Sequence, residues 1–280
     1  MALMRRETRR RYAPLKPELD GITLAPGKHL LRGDRLLLHA ESGVVMLYCK
    51  GEGVTIHRGD KVDEAEESLW FNGTVYAAIA CINGLYPVHA SAVAHDGRVH
   101  AFTGPAGAGK STLTAELGRR GLPMFCDDTL ILDLRDPAKV MCLPGHKRLK
   151  LWPDALHLTE TVPDEEVLPG WGKFYARPHS EPVRTMLPLA SLTFLEDDAP
   201  ARLEPISGGA RILRLMDDHY TADLYLEASQ ADKAQHFALL TRLAQAVTVQ
   251  CFARPRNPAR FAADVTIVEQ HIRQFRGKHQ

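Results

Sequence analysis

The chain has 280 residues, with 35 Lys+Arg against 34 Asp+Glu, a formal charge of +1 and 45% hydrophobic content. That composition belongs to ordinary globular proteins and excludes the disordered and fibrous classes. The near-zero charge supplies no global field toward nucleic acid or an anionic membrane, so any polyanion site has to be local. The cysteines Cys49, Cys81, Cys126, Cys142 and Cys251 are scattered without a CxxC. They indicate neither a disulfide framework nor a zinc ribbon, and point to a reducing, cytoplasmic setting. No apolar run approaches membrane-spanning length, and the basic start has no apolar stretch behind it to make a secretory signal. The expected partners therefore include no nucleic acid and no membrane. The cluster Arg5, Arg6, Arg9, Arg10 and Arg11 reads as a solvated terminal tail.

From 21 to 58, apolar runs at 36–39, 44–48 and 54–57 alternate with Gly and charged pairs, which predicts a small β-rich lobe of hairpins. The acidic stretch 63–67 then precedes an apolar, Ala-containing segment to 85, read as a connecting helix. These elements form an N-terminal lobe of 1–84, and a larger α/β unit follows over 85–280. In that unit, 88–94 and 98–103 read as strands joined by a tight turn at Asp96-Gly97. Residues 111–120 make a short helix stopped by Gly121 and Pro123. A strand over 124–134 is broken by Asp127-Asp128. Beyond it come a long Gly/Pro-rich loop near 163–182, a strand at 187–195, a helix at 231–246, a strand at 247–252 and a closing helix at 258–275.

The string Gly104-Pro105-Ala106-Gly107-Ala108-Gly109-Lys110-Ser111 satisfies GxxxxGK[ST], with Thr112 next, between a strand and a helix. Glycines at this spacing let backbone N–H groups turn inward around phosphate oxygens. The helix that follows offers its positive end, Lys110 a point charge and Ser111 a hydroxyl for Mg²⁺. A nucleoside triphosphate site is the direct expectation, with ATP and Mg²⁺ as cofactors. Asp127 and Asp128 fall 17 and 18 residues beyond the lysine. Adjacent carboxylates at a strand break suit one metal ligand and one proton acceptor, as phosphoryl transfer requires, and equally a polar turn. His89, on the strand paired through the hairpin with the one that feeds the loop, comes beside the phosphates or fills a structural role.

His89-Ala-Ser-Ala-Val93, the loop 104–111, the helix ending Gly118-Arg-Arg-Gly121 and Asp127-Asp128 together resemble the catalytic domain of the HPr kinase/phosphorylase family. The likeness covers about 85–135 well and the remainder loosely. It implies an α/β fold with a P-loop-containing mixed sheet and flanking helices, HPr kinase/PEP carboxykinase-like, behind the β-rich lobe. It implies an ATP-dependent kinase acting on a serine of a small protein or peptide. Carried over by position, His89 is an active-site histidine, Lys110 binds phosphate, and Ser111 and Asp127 serve the metal. Asp128 takes the serine proton, and Gly104 to Thr112 cradle the nucleotide.

The chain departs from the family pattern at Pro105, Ala106 and Thr112, and 143–155 replaces the Ile-Arg-Gly-Leu-Gly signature, leaving the second metal ligand unassigned. That region looks more like the shorter HPr-kinase-like proteins, some of which phosphorylate a lasso-peptide precursor at serine. On the residues alone, a non-catalytic ATP-binding regulatory module and a small-molecule kinase stay open, as does a homo-oligomer. Further candidates are His146, Lys147, Arg148 and Lys150 as a local basic run, Lys173 and Arg177 as a mobile cationic arm, and Arg254 and Arg256 as neighbours of the nucleotide. His95 and His100 lack metal-ligand spacing, so no zinc site is expected.

Overall fold

The computed structural model describes residues 2–59, 64–136, 138–216, 219–229 and 231–276 of a mixed α/β protein. In the N-terminal part, alternating runs form an antiparallel meander, Lys28–Arg32, Arg35–His39, Val45–Cys49 and Gly53–His57. Leu36, Leu38, Met46, Tyr48, Val54 and Ile56 point to one face, where they pack on the helix that follows. Leu37 and Val45 point to the other, against Leu19. The helical segment runs as Glu64–Trp70, a π-turn at Phe71–Val75 and Tyr76–Ile82. Asp63 of the acidic stretch lies outside the described residues. This core continues into the rest of the chain through Ile131, Leu143 and Leu224.

The arginine-rich start keeps its arginines exposed, but it is tied to this lobe instead of forming a free tail. Arg10–Tyr12 pairs in parallel with Gly53–His57. Arg10 lies 3.7 Å over the Phe71 ring, and Arg11 donates to Thr55. The reason is polar satisfaction: Glu67 is buried, and it takes Tyr12 and Arg58 as donors and Arg10 as an ion-pair partner.

In the second part, Ala90–His95 and Arg98–Thr103 form the hairpin expected at Asp96-Gly97, both turn residues having positive φ. Arg98–Thr103, Leu187–Asp197 and Thr248–Arg254 then lie side by side and parallel. The sheet is covered on both faces. Ala92, Ala94, Val99 and Ala101 pack beneath Leu240, Leu243 and Ala244 of helix Lys233–Ala246. Val93, Phe102 and Phe252 pack beneath Leu113 and Leu117 of helix Lys110–Arg119 and Phe261, Val265, Val268 and Ile272 of helix Pro258–Gln274. Full burial of each such side chain is worth about 1.5–3 kcal/mol.

The segment expected as a long loop holds two short strands. Pro163–Glu166 and Phe174–Ala176 join Leu149–Leu151 in a small antiparallel sheet. Its closing turn is held by the Glu166 carboxylate, which accepts from the N–H groups of Gly170 and Gly172. Among the described residues, no helix is long and apolar enough to cross a membrane.

Candidate functional site

Strand Arg98–Thr103 ends at Gly104, whose φ of 143° leads into the tight turn through Gly107 and Gly109 that opens helix Lys110–Arg119. Two of these glycines combine a positive φ with a close neighbour. A Cβ at Gly104 would stand 3.0 Å from the Leu195 carbonyl oxygen, and one at Gly109, φ 87°, 2.5 Å from the Arg254 guanidinium. Lys110 folds back over the loop, its Nζ donating to the carbonyls of Gly104 (2.8 Å) and Pro105 (3.1 Å). The far end of the helix closes with Leu122 N–H on Leu117 O and Gly121 N–H on Gly118 O, the glycine-capped stop the sequence indicates.

The two aspartates part company. The Thr129 N–H donates to the Asp127 carbonyl (2.9 Å), and Asp128 in the centre of this turn has φ 72°. A left-handed L-residue costs about 1–3 kcal/mol, and here the turn aims the adjacent carboxylates at different neighbours. Asp127 is 2% exposed. Its Oδ1 accepts from the hydroxyls of Ser91 and Ser111, the latter at 2.8 Å, and its Oδ2 from the Lys150 backbone N–H at 2.9 Å. Asp128 borders the main cavity. Its Oδ2 accepts from Lys150 Nζ at 2.7 Å, and its Oδ1 lies 3.7 Å from His89 Nδ1, which donates to the Asp128 carbonyl at 2.9 Å. Burial pushes the Asp128 carboxyl up, but Lys150, His89 and Lys173 outweigh it and hold it below the usual carboxylate value. Burial likewise depresses Lys150, and Asp128 more than restores it. The pair is therefore ionic at neutral pH.

The cavity, of about 1000 Å³, opens at the carboxyl ends of the three parallel strands, where Gly104, Glu196, Asp197 and Arg254 emerge. Pro105, Ala106 and Ala108 of the loop line it with His89 and Asp128. Phe194, Arg214 and Arg256 line it as well, with Arg214 paired to Glu196 and Arg256 to Asp197 (3.0 Å). Gly73 of the π-turn brings the N-terminal part to the rim. Arg254 lies against Gly109 with a buried Nε that has no partner among the described residues.

Of the residues singled out in the sequence, His89 sits differently from expectation. It occupies a bend between Tyr86–Val88, which pairs with Leu130–Asp133, and Ala90–His95, which pairs with Met124–Cys126. The chain changes neighbours at this residue, and that is what turns its ring toward Asp128. Lys110, Ser111 and Asp127 come together behind the loop, and Thr112 is half-buried on the first helical turn. In the basic run only Lys150 reaches the aspartates. Lys147 donates to the Phe125 carbonyl, burial pushing its pKa down to about 8. Arg148 turns to Asp164 and Glu165. Burial also depresses His146. Arg177 is exposed and 3.8 Å from Asp164. Sequence reasoning assigned nothing to Ser91, Phe194 or Arg214. The hydroxyl of Ser91 amid an apolar strand was a readable signal, whereas Phe194 and Arg214 carried none.

The donor set fits a hard cation: the Ser111 hydroxyl and Asp127 carboxylate are adjacent oxygen ligands of the kind Mg²⁺ takes. A fit to polyphosphate is supported by the glycine turn, whose Gly104, Gly107 and Gly109 all hold positive φ, and by the unpartnered Arg254 Nε behind it. Scans of family models and of curated proteins find no match. Among solved structures the chain is similar to the HPr(Ser) kinase/phosphatase from Coxiella burnetii, at 15% identity and a TM-score of 0.34, over 66% of this chain and 95% of that one. A likeness of that size carries no argument.

Proposed function

We propose that the chain is an ATP-dependent kinase that moves the γ-phosphate to a serine hydroxyl of a small protein or peptide. The observation that carries this reading is Asp128, an ionised carboxylate held by Lys150 at the wall of the cavity that the glycine loop also lines. Loop N–H groups and the positive end of helix Lys110–Arg119 bind the phosphates, and Lys110 turns from the Gly104 and Pro105 carbonyls to meet them. Ser111 and Asp127 would hold Mg²⁺, which supplies charge neutralisation at the phosphate oxygens. Asp128 accepts the serine proton as the serine oxygen bonds to the γ-phosphorus, and the bond from that phosphorus to its bridging oxygen breaks to release ADP. His89 fixes the Asp128 turn through the backbone carbonyl, and Lys150 keeps the carboxylate charged.

Incubation with labelled ATP and serine peptides tests the assignment. Asp128→Asn should lose about 10²–10⁴-fold in transfer rate while ATP affinity stays within a few-fold of the parent. Normal transfer by that variant overturns the assigned base. Tight ATP binding by the unmodified protein without turnover or transfer to any acceptor overturns the kinase reading in favour of a non-catalytic nucleotide-binding module, and transfer to small hydroxyl compounds alone points to a small-molecule kinase.

A further inference from the structure

The small sheet has two unlike faces. Leu149, Leu151 and Ala176 turn inward with Phe174 beside them, packing with Ala155 and Leu156 against Ala115 of the helix that follows the glycine loop. The opposite face follows from register. Lys150 pairs with Tyr175 across the strands, so Lys150, Trp152, Tyr175 and Lys173 share the face opposite that packing, Lys150 and Tyr175 being buried there beneath neighbouring side chains such as Arg148. Lys150 holds Asp128 at one end of this row. At the other end the row becomes apolar and exposed: Trp152 is 44% and Trp171 45% exposed, their rings meeting edge-on at 6.4 Å. The Lys173 ammonium lies 5.7 Å from the Trp152 ring centroid and 5.9 Å from that of Trp171.

Nothing in the packing asks for two large indoles here, because the inner face already fills the core. The turn that carries Trp171 is preformed by the two N–H groups on Glu166, together with Val167 N–H on the Lys173 carbonyl (2.8 Å) and Trp171 N–H on the Leu168 carbonyl (3.1 Å). A rigid, half-exposed aromatic pair is the usual anchor of a protein contact, since little entropy is lost when it is covered. The charge beside it is positive. Lys173 is met by rings, with no carboxylate within 4.0 Å among the described residues, and its field reaches Asp128.

We propose that Trp152, Trp171 and Lys173 form the docking surface for the acceptor chain, engaging an extended segment that carries a carboxylate and an apolar side chain near the serine. This deepens the kinase reading and rests on it for the identity of the acceptor. The anchor stands at the exposed end of the strand pair whose buried end, Lys150, holds Asp128, so a segment seated on the two rings has its serine near the carboxylate that takes the proton.

The test uses fluorescein-labelled peptides of equal length, each with one serine and one leucine, flanked by glutamates, glutamines or lysines. Binding is read by anisotropy to the full chain, to Lys173→Glu and to Trp152→Ala/Trp171→Ala, with ATP affinity measured in parallel. The glutamate peptide should bind about tenfold or more tighter than the lysine peptide. The double tryptophan variant should lose about tenfold or more of that affinity. Lys173→Glu, which keeps both rings, should reverse the charge preference, and ATP affinity should hold throughout. Equal affinity across the peptides, or affinity indifferent to these variants, overturns the proposal. So does quenching of the indoles by ATP without peptide, which would make the patch part of the nucleotide site. Variant-sensitive binding of the glutamate peptide, with no ATP turnover and no transfer to it or to any other acceptor, refutes the kinase reading and leaves the docking surface standing.

Discussion

Asp127 and Asp128 are neighbours in sequence, yet the structure gives them different roles, and Asp127→Ala against Asp127→Asn separates the hydrogen-bonding role of Asp127 from its charge. The alanine removes the acceptor for three donors, the Ser91 hydroxyl, the Ser111 hydroxyl and the Lys150 N–H, at a position 2% exposed. A buried polar group left without a partner costs about 1–3 kcal/mol. The two hydroxyls can rotate toward other acceptors, whereas the Lys150 N–H is fixed by its strand, so the expected loss is about 2–4 kcal/mol, large against a typical total of about 5–15. Asparagine can keep its amide oxygen on the Lys150 N–H and turn its NH₂ to the two serines, whose hydroxyls then accept. It should lie within about 1 kcal/mol of the parent. Urea denaturation of the nucleotide-free protein measures both. Asparagine nevertheless lacks the charge that Mg²⁺ wants, so it should lose the Mg²⁺-dependent gain in ATP affinity. An alanine variant as stable as the parent would show that the three hydrogen bonds do not hold the turn. An asparagine variant with the full Mg²⁺ effect would remove Asp127 as a ligand.

Lys150→Met takes away the cation that offsets the burial of Asp128, so the carboxyl pKa rises and the acidic limb of the pH–rate profile moves upward; an unmoved limb would sever Asp128 from the proton transfer. Gly109→Ala meets a φ of 87° and the Arg254 guanidinium, and should cost about 1–2 kcal/mol in thermal denaturation. Its loss of ATP affinity should be larger, and unchanged ATP binding would refute the cradle. His100, 2% exposed beside Ser191, has its pKa pushed down to about 3 by burial, with smaller contributions from His271, His95 and Arg98. The unfolded chain takes up that proton near pH 6.5 and the folded one does not, so stability present above pH 6.5 falls on acidification toward 3. The expected slope is about 1.4 kcal/mol per pH unit for this residue. His236 and His271 shift in the same direction through burial. His100→Asn should flatten the denaturation profile between pH 5 and 6.5 by one proton's worth, and an unaltered slope would locate the acid sensitivity elsewhere.

Much of the scaffold was legible because its signals are local. The glycine spacing, the Asp96-Gly97 turn and the Gly121 stop act within a few residues, and the strands and helices they delimit stand close to where the pattern put them. His89 was harder. Residues 88–94 read as one continuous strand, and only the different partners of Tyr86–Val88 and Ala90–His95 reveal the bend at His89. The small sheet escaped for a related reason. Its strands are three or four residues long, too short for a periodic signature, and Leu149–Leu151 gains its hydrogen bonds from a segment more than 20 residues away. The arginine-rich start read as a free tail, as terminal charge runs usually are; here Thr55 and Glu67, buried elsewhere in the chain, take up two of its guanidinium groups.

By itself, then, the sequence determined that a glycine loop joins a strand to a helix with a lysine and a hydroxyl at its start, and that two carboxylates interrupt a later strand. These follow from backbone conformational limits that act between near neighbours. Which carboxylate is buried as a tie and which stands at the cavity was decided by tertiary structure alone. That choice depends on the left-handed turn at Asp128 and on His89 and Ser91, Ser111, and Lys150 arriving from three separate segments. Hydrogen bonds and ion pairs of that range have no periodicity in the chain, and they take shape only when packing brings their ends together.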